Sequence, residues 1–168
     1  SHAGTVVRFV NAVAERVEKE FPDVLIETLA YQFSRKPPKK TRLRRNVVPC
    51  LCTFECDFAL PLATSGYAQN RSFCEDIRAW RRMTDRLYLW DYTTDFANYP
   101  MPFANVCVLQ DNIRFFRDMG VRYLFEQGNY QGPHGDFAEL KAWLQAKLMW
   151  NPELPLRDLL DDFFAGYY

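Results

Sequence analysis

Glu55, Asp91 and Glu126 occupy the same kind of place in the sequence, each directly after a short apolar run. Val47 to Phe54 (VVPCLCTF) leads into Glu55-Cys56-Asp57. Leu87 to Trp90 (LYLW) leads into Asp91-Tyr92-Thr93-Thr94-Asp95. Val121 to Phe125 (VRYLF) leads into Glu126-Gln127-Gly128-Asn129-Tyr130, and a fourth run, Val24 to Ala30 (VLIETLA), ends at Tyr31-Gln32. A carboxylate at the tip of an apolar strand is costly unless it is paired or used. Carboxylates gathered at neighbouring strand ends push one another's pKa values apart, which is the arrangement acid–base and glycosidic chemistry uses. Tyr31, Trp90 and Tyr92 beside them would offer flat faces to sugar rings. Glu55, Asp91 and Glu126 are therefore the candidate catalytic residues. The competing reading of each carboxylate is structural: it caps a helix or pairs with an arginine.

A parallel sheet is what would bring these strand ends together. Val6, Val10, Val13, Val17 and Phe21 share one helical face, and Pro22-Asp23 stops that helix. Asn70 can cap a helix whose face is Phe73, Ile77, Trp80 and Thr84. Leu109, Ile113 and Phe116 mark another, ended by Gly120. Asp136 and Glu139 have the spacing of a capping box, opening a helix through Leu140, Leu144 and Leu148 that Asn151-Pro152 closes. A last amphipathic helix runs from about Leu156 to Phe164, with Gly166 beyond its end. The order α-β-β-α-β-α-β-α-α predicts one α/β domain over residues 1–168 with parallel strands. The strands read as nearly continuous apolar runs, which suits a sheet covered on both faces. Ligands bind at the carboxyl ends of such strands, where these residues lie.

Composition narrows the partners. Hydrophobic residues make up 48% of the 168, enough for a sizeable core, and 21 basic residues balance 21 acidic ones. That balance carries no polyanion signature, so no nucleic-acid partner is expected, although the basic loop from Arg35 to Arg45 leaves a polyanion-binding module as an alternative. Cys50, Cys52 and Cys107 sit in apolar surroundings, no CxxC occurs, and His2 and His134 lack companions at metal spacing, so neither a metal nor a cofactor is expected. No run is long enough to span a membrane and no signal peptide is evident. The glycines at 128, 132 and 135 match no phosphate-binding pattern and read as a tight turn. The abrupt ends predict a piece of a longer chain.

The segments FVNAVAERV (9–17), TLAYQFSRKPPKK (28–40), NVVPCLCTFECDFALPL (46–62), LWDYTTDFANY (89–99), FEQGNYQ (125–131) and FAELKAWLQAKLMWNPEL (137–154) closely resemble the bacterial domain-of-unknown-function 4838 family. The resemblance implies a glycoside-hydrolase-like barrel, similar to the hexosaminidase and α-glucuronidase barrels, in large multi-domain proteins of polysaccharide-degrading bacteria. It implies that this chain is the C-terminal half of a TIM-type (β/α)8 barrel, about strands five to eight. The first four strands, with the main acidic residues at the end of strand four, would then lie upstream. The matched strand-end motifs carry Glu55, Trp90, Asp91, Tyr92, Glu126 and Gln127, and they add Gln127 to Tyr31, Trp90 and Tyr92 as a substrate-binding candidate. The implied function is binding and hydrolysis of a carbohydrate, with a non-catalytic carbohydrate-binding barrel as the alternative. The expected partners are the carbohydrate, the missing half of the barrel and another copy of the fragment through its free strand edges. The full-length protein would be secreted or periplasmic.

Overall fold

A computed structural model describes all of residues 1–168. Four strands form one parallel sheet in the order β1 (Ile26–Ala30), β2 (Val47–Cys52), β3 (Leu87–Tyr92) and β4 (Val121–Gln127). Helix α1 (His2–Glu20) precedes β1, α2 (Ala68–Arg81) joins β2 to β3, and α3 (Leu109–Asp118) joins β3 to β4. Helices α4 (Ala138–Trp150) and α5 (Leu156–Tyr167) follow. The connection from β1 to β2 carries only a short helical turn at Gln32–Ser34.

Alternation along the strands assigns each side chain to a face. Ala30, Leu51, Leu87 and Leu89 are buried in one apolar cluster with Val7 of α1, Phe73, Ile77 and Trp80 of α2, and Phe115 and Phe116 of α3. Leu124 of β4 bridges this cluster to a second one, built from Ile113, Leu140, Leu144, Leu148, Leu159 and Phe163. All five helices therefore pack on the same side of the sheet. Their helical repeat is what makes this possible, since residues three and four apart return to one stripe.

No helix covers the opposite face, although Val48, Cys50 and Cys52 on it are buried, where the apolar strands alone predict cover on both sides. It carries the rows Leu29–Cys50–Tyr88–Tyr123 and Cys52–Trp90–Phe125, and Leu29, Tyr123 and Phe125 are 45%, 52% and 39% exposed. The strands read as nearly continuously apolar because the small Val48, Cys50 and Cys52 of β2 and the large aromatics of β3 and β4 occupy this second face, not because a second helical layer covers it.

Three local expectations change. Asn70 does not cap α2, which starts earlier at Ala68; it is buried inside the first turns, accepting from Asp57 N–H at 2.8 Å and donating to Asp57 O at 3.1 Å. Asp136 does not cap α4, whose N-cap is Phe137 in the left-handed region (φ 46°); the carboxylate pairs with Lys141 at 2.9 Å. Gly166 lies inside α5 rather than beyond it. Gly120 does end α3 as expected, at φ 76°.

If the helix side alone forms the core, the two faces will differ in stability cost. Leu89→Ala should destabilise the domain by about 2–5 kcal/mol, while Tyr123→Ala on the open face should cost well under half as much. Urea unfolding followed by circular dichroism measures both, and equal costs would mean that the open face is packed.

Candidate functional site

The register of β4 against β3 creates the site. Leu87 pairs with Val121, but Tyr88 pairs with Tyr123, because one extra residue in β4 shifts the alignment. The pairs that follow are Leu89 with Leu124, Trp90 with Phe125, Asp91 with Glu126 and Tyr92 with Gln127. Without the extra residue Asp91 would stand beside Phe125. With it, two carboxyl groups sit side by side on neighbouring strands, about 4.8 Å apart at the backbone.

Asp91 and Glu126 lie on the same face as Leu89 and Leu124, and so point toward the helices. Asp91 is only 4% exposed. Its Oδ1 accepts from the Thr53 hydroxyl and from the Tyr92 N–H, the latter at 2.9 Å. Glu126 is half-buried as a residue, but its Oε2 is sealed from solvent and has no hydrogen-bond partner. Burial pushes the Asp91 carboxyl up to about 6, against the two hydrogen bonds that favour its charged form. Burial, and then the charge of Asp91, hold the Glu126 carboxyl well above the usual carboxylate range. Asp91 is thus the better hydrogen-bonded partner and takes the charge first, while Glu126 keeps the proton.

Glu55 does not join them. Just beyond β2 it accepts from Arg35 Nη1 at 2.8 Å. The same guanidinium donates to Asp76 Oδ2 at 2.9 Å and to Ser72 Oγ at 3.0 Å, and the Arg35 carbonyl accepts from Trp80 Nε1 at 2.6 Å. Arg35 therefore leaves the basic loop and turns inward to tie that loop and the β2 end to α2. Arg44 and Arg45 also leave the solvated charge run, both pairing with Glu18 of α1.

Trp90, Tyr92 and Gln127 occupy the open face. Trp90 Nε1 donates to Gln127 Oε1 at 2.8 Å, which fixes the indole and leaves the Gln127 amide nitrogen for another partner. The rings form a chain of four across the strand ends, with a separate pair beside it. Tyr31 meets Phe54 at 5.5 Å, Phe54 meets Tyr92 at 5.6 Å, Tyr92 meets Phe96 at 5.9 Å, and Trp90 meets Phe125 edge-on at 4.8 Å. Phe54 and Phe125 were absent from the sequence candidates. Their period-two spacing to Cys52 and Gln127 is the signal that finds them. The Cys52 thiol lies against the Tyr92 hydroxyl; burial raises the thiol to about 11 and pushes the phenol above its ordinary value.

The sequence matches the family model described as a domain of unknown function (DUF4838) over residues 1–168. The chain belongs to this family. No curated protein and no solved structure matches it. In this DUF4838 chain the segments around residues 46–62, 89–99 and 125–131 hold the strand ends just described. Its described side chains include no group of three or more His, Cys, Asp or Glu residues placed to hold a metal ion, and no helix is long and apolar enough to cross a membrane.

The carboxyl pair makes stability depend on pH in a defined direction. The folded chain keeps a proton on Glu126 that the unfolded chain releases near pH 4.3, so stability falls as pH rises from about 4 toward the folded-state value. Glu126→Gln removes that loss. Relative to wild type, the variant should gain at least about 1 kcal/mol between pH 4 and pH 7, read from urea midpoints at several pH values. Parallel pH profiles would contradict the pairing.

Proposed function

We propose that this chain supplies a carbohydrate-binding wall of a glycoside-hydrolase-like barrel. The observation that carries the reading is the chain of rings Tyr31–Phe54–Tyr92–Phe96, exposed at Phe54 and half-buried elsewhere, with Trp90 held by Gln127, lying across the C-terminal ends of parallel strands. Sugar rings present C–H faces that stack on aromatic rings, while their hydroxyls need amide and hydroxyl partners of the kind Gln127 and Tyr92 offer. Supporting the half-barrel is the strand sequence itself. The strands add in one direction, β1-β2-β3-β4, with every helix on one side. Such winding closes into a barrel when four more βα units continue it, whereas a doubly wound sheet reverses direction and puts helices on both faces. The exposed apolar face and the free edges of β1 and β4 are where those units, or a second copy, would seat.

Within this reading, stacking and hydrolysis belong to different surfaces. Glu55 is tied to Arg35, which it shares with Asp76, and the Asp91–Glu126 pair faces the helices, away from the ring chain. This favours binding as the role of the chain's own strand ends. If the whole barrel hydrolyses its glycan, the resemblance puts the main acid at the end of its strand four.

Substitution separates these roles. Trp90→Ala and Tyr92→Ala should each weaken binding to oligosaccharides at least tenfold in calorimetry, about 1.4 kcal/mol or more. Glu55→Gln and Glu126→Gln should leave affinity within about threefold. Loss of turnover by Glu126→Gln with binding intact would reassign the pair to catalysis, and unchanged affinity in Trp90→Ala would end the binding proposal.

A further inference from the structure

The chain of rings does not stop at Phe96. The Phe96 ring stands 6.1 Å from Tyr99 and 6.5 Å from Tyr130, centroid to centroid. Tyr99 belongs to the loop after β3, and Tyr130 to the loop after β4. Gln131 joins the two phenols. Tyr99 Oη donates to Gln131 Oε1 at 3.4 Å, and Gln131 Nε2 donates to Tyr130 Oη at 2.9 Å. Four residues earlier, Gln127 holds Trp90 in the same way. In both cases a glutamine fixes the polar end of an aromatic side chain and keeps at least one amide hydrogen for another partner.

The two loops are also tied to each other through Asp136. Its N–H donates to the Tyr99 carbonyl at 2.8 Å, and its Oδ2 accepts from the Phe103 N–H at 3.1 Å. Tyr99 is half-buried, whereas Tyr130 is 67% exposed. The Tyr130 ring is therefore positioned by Phe96 and Gln131 while most of its surface faces solvent.

Charge narrows what these groups could hold. Residues 93–108 and 128–137 include no lysine or arginine, so an anion meets no cation from either loop. Their two acids are Asp95 and Asp136. Asp136 pairs with Lys141 at 2.9 Å, and Asp95 Oδ1 accepts from the Ala97 N–H at 2.8 Å. A neutral sugar fits what remains: its C–H face stacks on a ring, and its hydroxyls exchange hydrogen bonds with the amide and the phenols. Phe96 stands between Tyr92 and Tyr130, so a sugar residue stacked on Tyr92 leaves Tyr130 to a later residue of the same chain.

We propose that Tyr99, Tyr130 and Gln131 form an additional sugar subsite, and that the ligand is a neutral oligosaccharide long enough to reach from Trp90 and Tyr92 to Tyr130. The proposal rests on the carbohydrate-binding wall and specifies the length and charge of its ligand.

Calorimetry with neutral gluco-, manno- and xylo-oligomers of one to six residues tests it, with oligogalacturonides as the acidic comparison. Wild type should bind a neutral series with an affinity that rises with length. Tyr130→Ala and Gln131→Ala should each weaken binding of the longest member by about three- to tenfold, the worth of one aromatic contact. They should leave the shortest member that binds within about twofold, whereas Trp90→Ala should weaken both. Tyr130→Phe keeps the ring and should retain most of the affinity. Equal affinity at every length, or a longest oligomer held as tightly by Tyr130→Ala as by wild type, overturns the additional subsite while the wall stands. Tighter binding of the acidic oligomers overturns the neutral ligand. No binding at any length removes the wall itself, and this subsite with it.

Discussion

Between the start of β3 and the start of β4 the alignment of the two strands slips by one residue, and the chemistry at the far end of the sheet follows from that slip. A parallel strand sends alternate side chains to opposite faces, so a one-residue change moves every later side chain across the sheet. Here the extra residue lets Val121 stay on the helix side while Tyr123 packs at a tilt against Tyr88 on the opposite side, their ring centroids 5.1 Å apart. It then sets Asp91 beside Glu126 and Trp90 beside Phe125. Carboxyls collect on one face and rings on the other.

That division has an energetic consequence. The carboxyl pair sits in the layer that holds the fold together, where burial disfavours charge. Thr53 and the Tyr92 amide compensate Asp91; nothing in the chain compensates Glu126 Oε2. The pair therefore carries one charge more readily than two. The open face is shaped by a different balance. Its rings are held by edge contacts and by the Trp90–Gln127 hydrogen bond rather than by a covering layer, so flat surfaces stay available to a ligand.

Much of this was legible in the residues. The element order, the parallel sheet and the polar strand ends follow from apolar periodicity and from the punctuation at Pro22, Gly120 and Asn151. The faces were not legible. In LYLWDY both alternating sets are apolar or aromatic down to Asp91, so the period cannot tell which set meets the helices. The slip in β4 has no mark in the run VRYLFEQ either. The sharing of Arg35 among Glu55, Asp76 and Ser72 has no local signal, because its partners lie 20 to 41 residues away along the chain. Asp136 has the residue type and spacing of a helix cap, yet its pairing with Lys141, five residues on, prevails. Phe125 and Phe54 stand two residues from Gln127 and Cys52, so the same spacing places them once the face of those two residues is known.

The central claim is that a glycan stacks on the ring face of the sheet. The chain has four tryptophans, and the indole N–H signals of two of them report on opposite sides: Trp90, bonded to Gln127 on the open face, and Trp80, bonded to the Arg35 carbonyl in the core. Their nuclear magnetic resonance shifts across a panel of neutral and acidic oligosaccharides test the claim most directly. The account predicts a saturable shift of the Trp90 signal with at least one glycan while the Trp80 signal stays in place. A Trp90 signal unmoved by every glycan in the panel would contradict it.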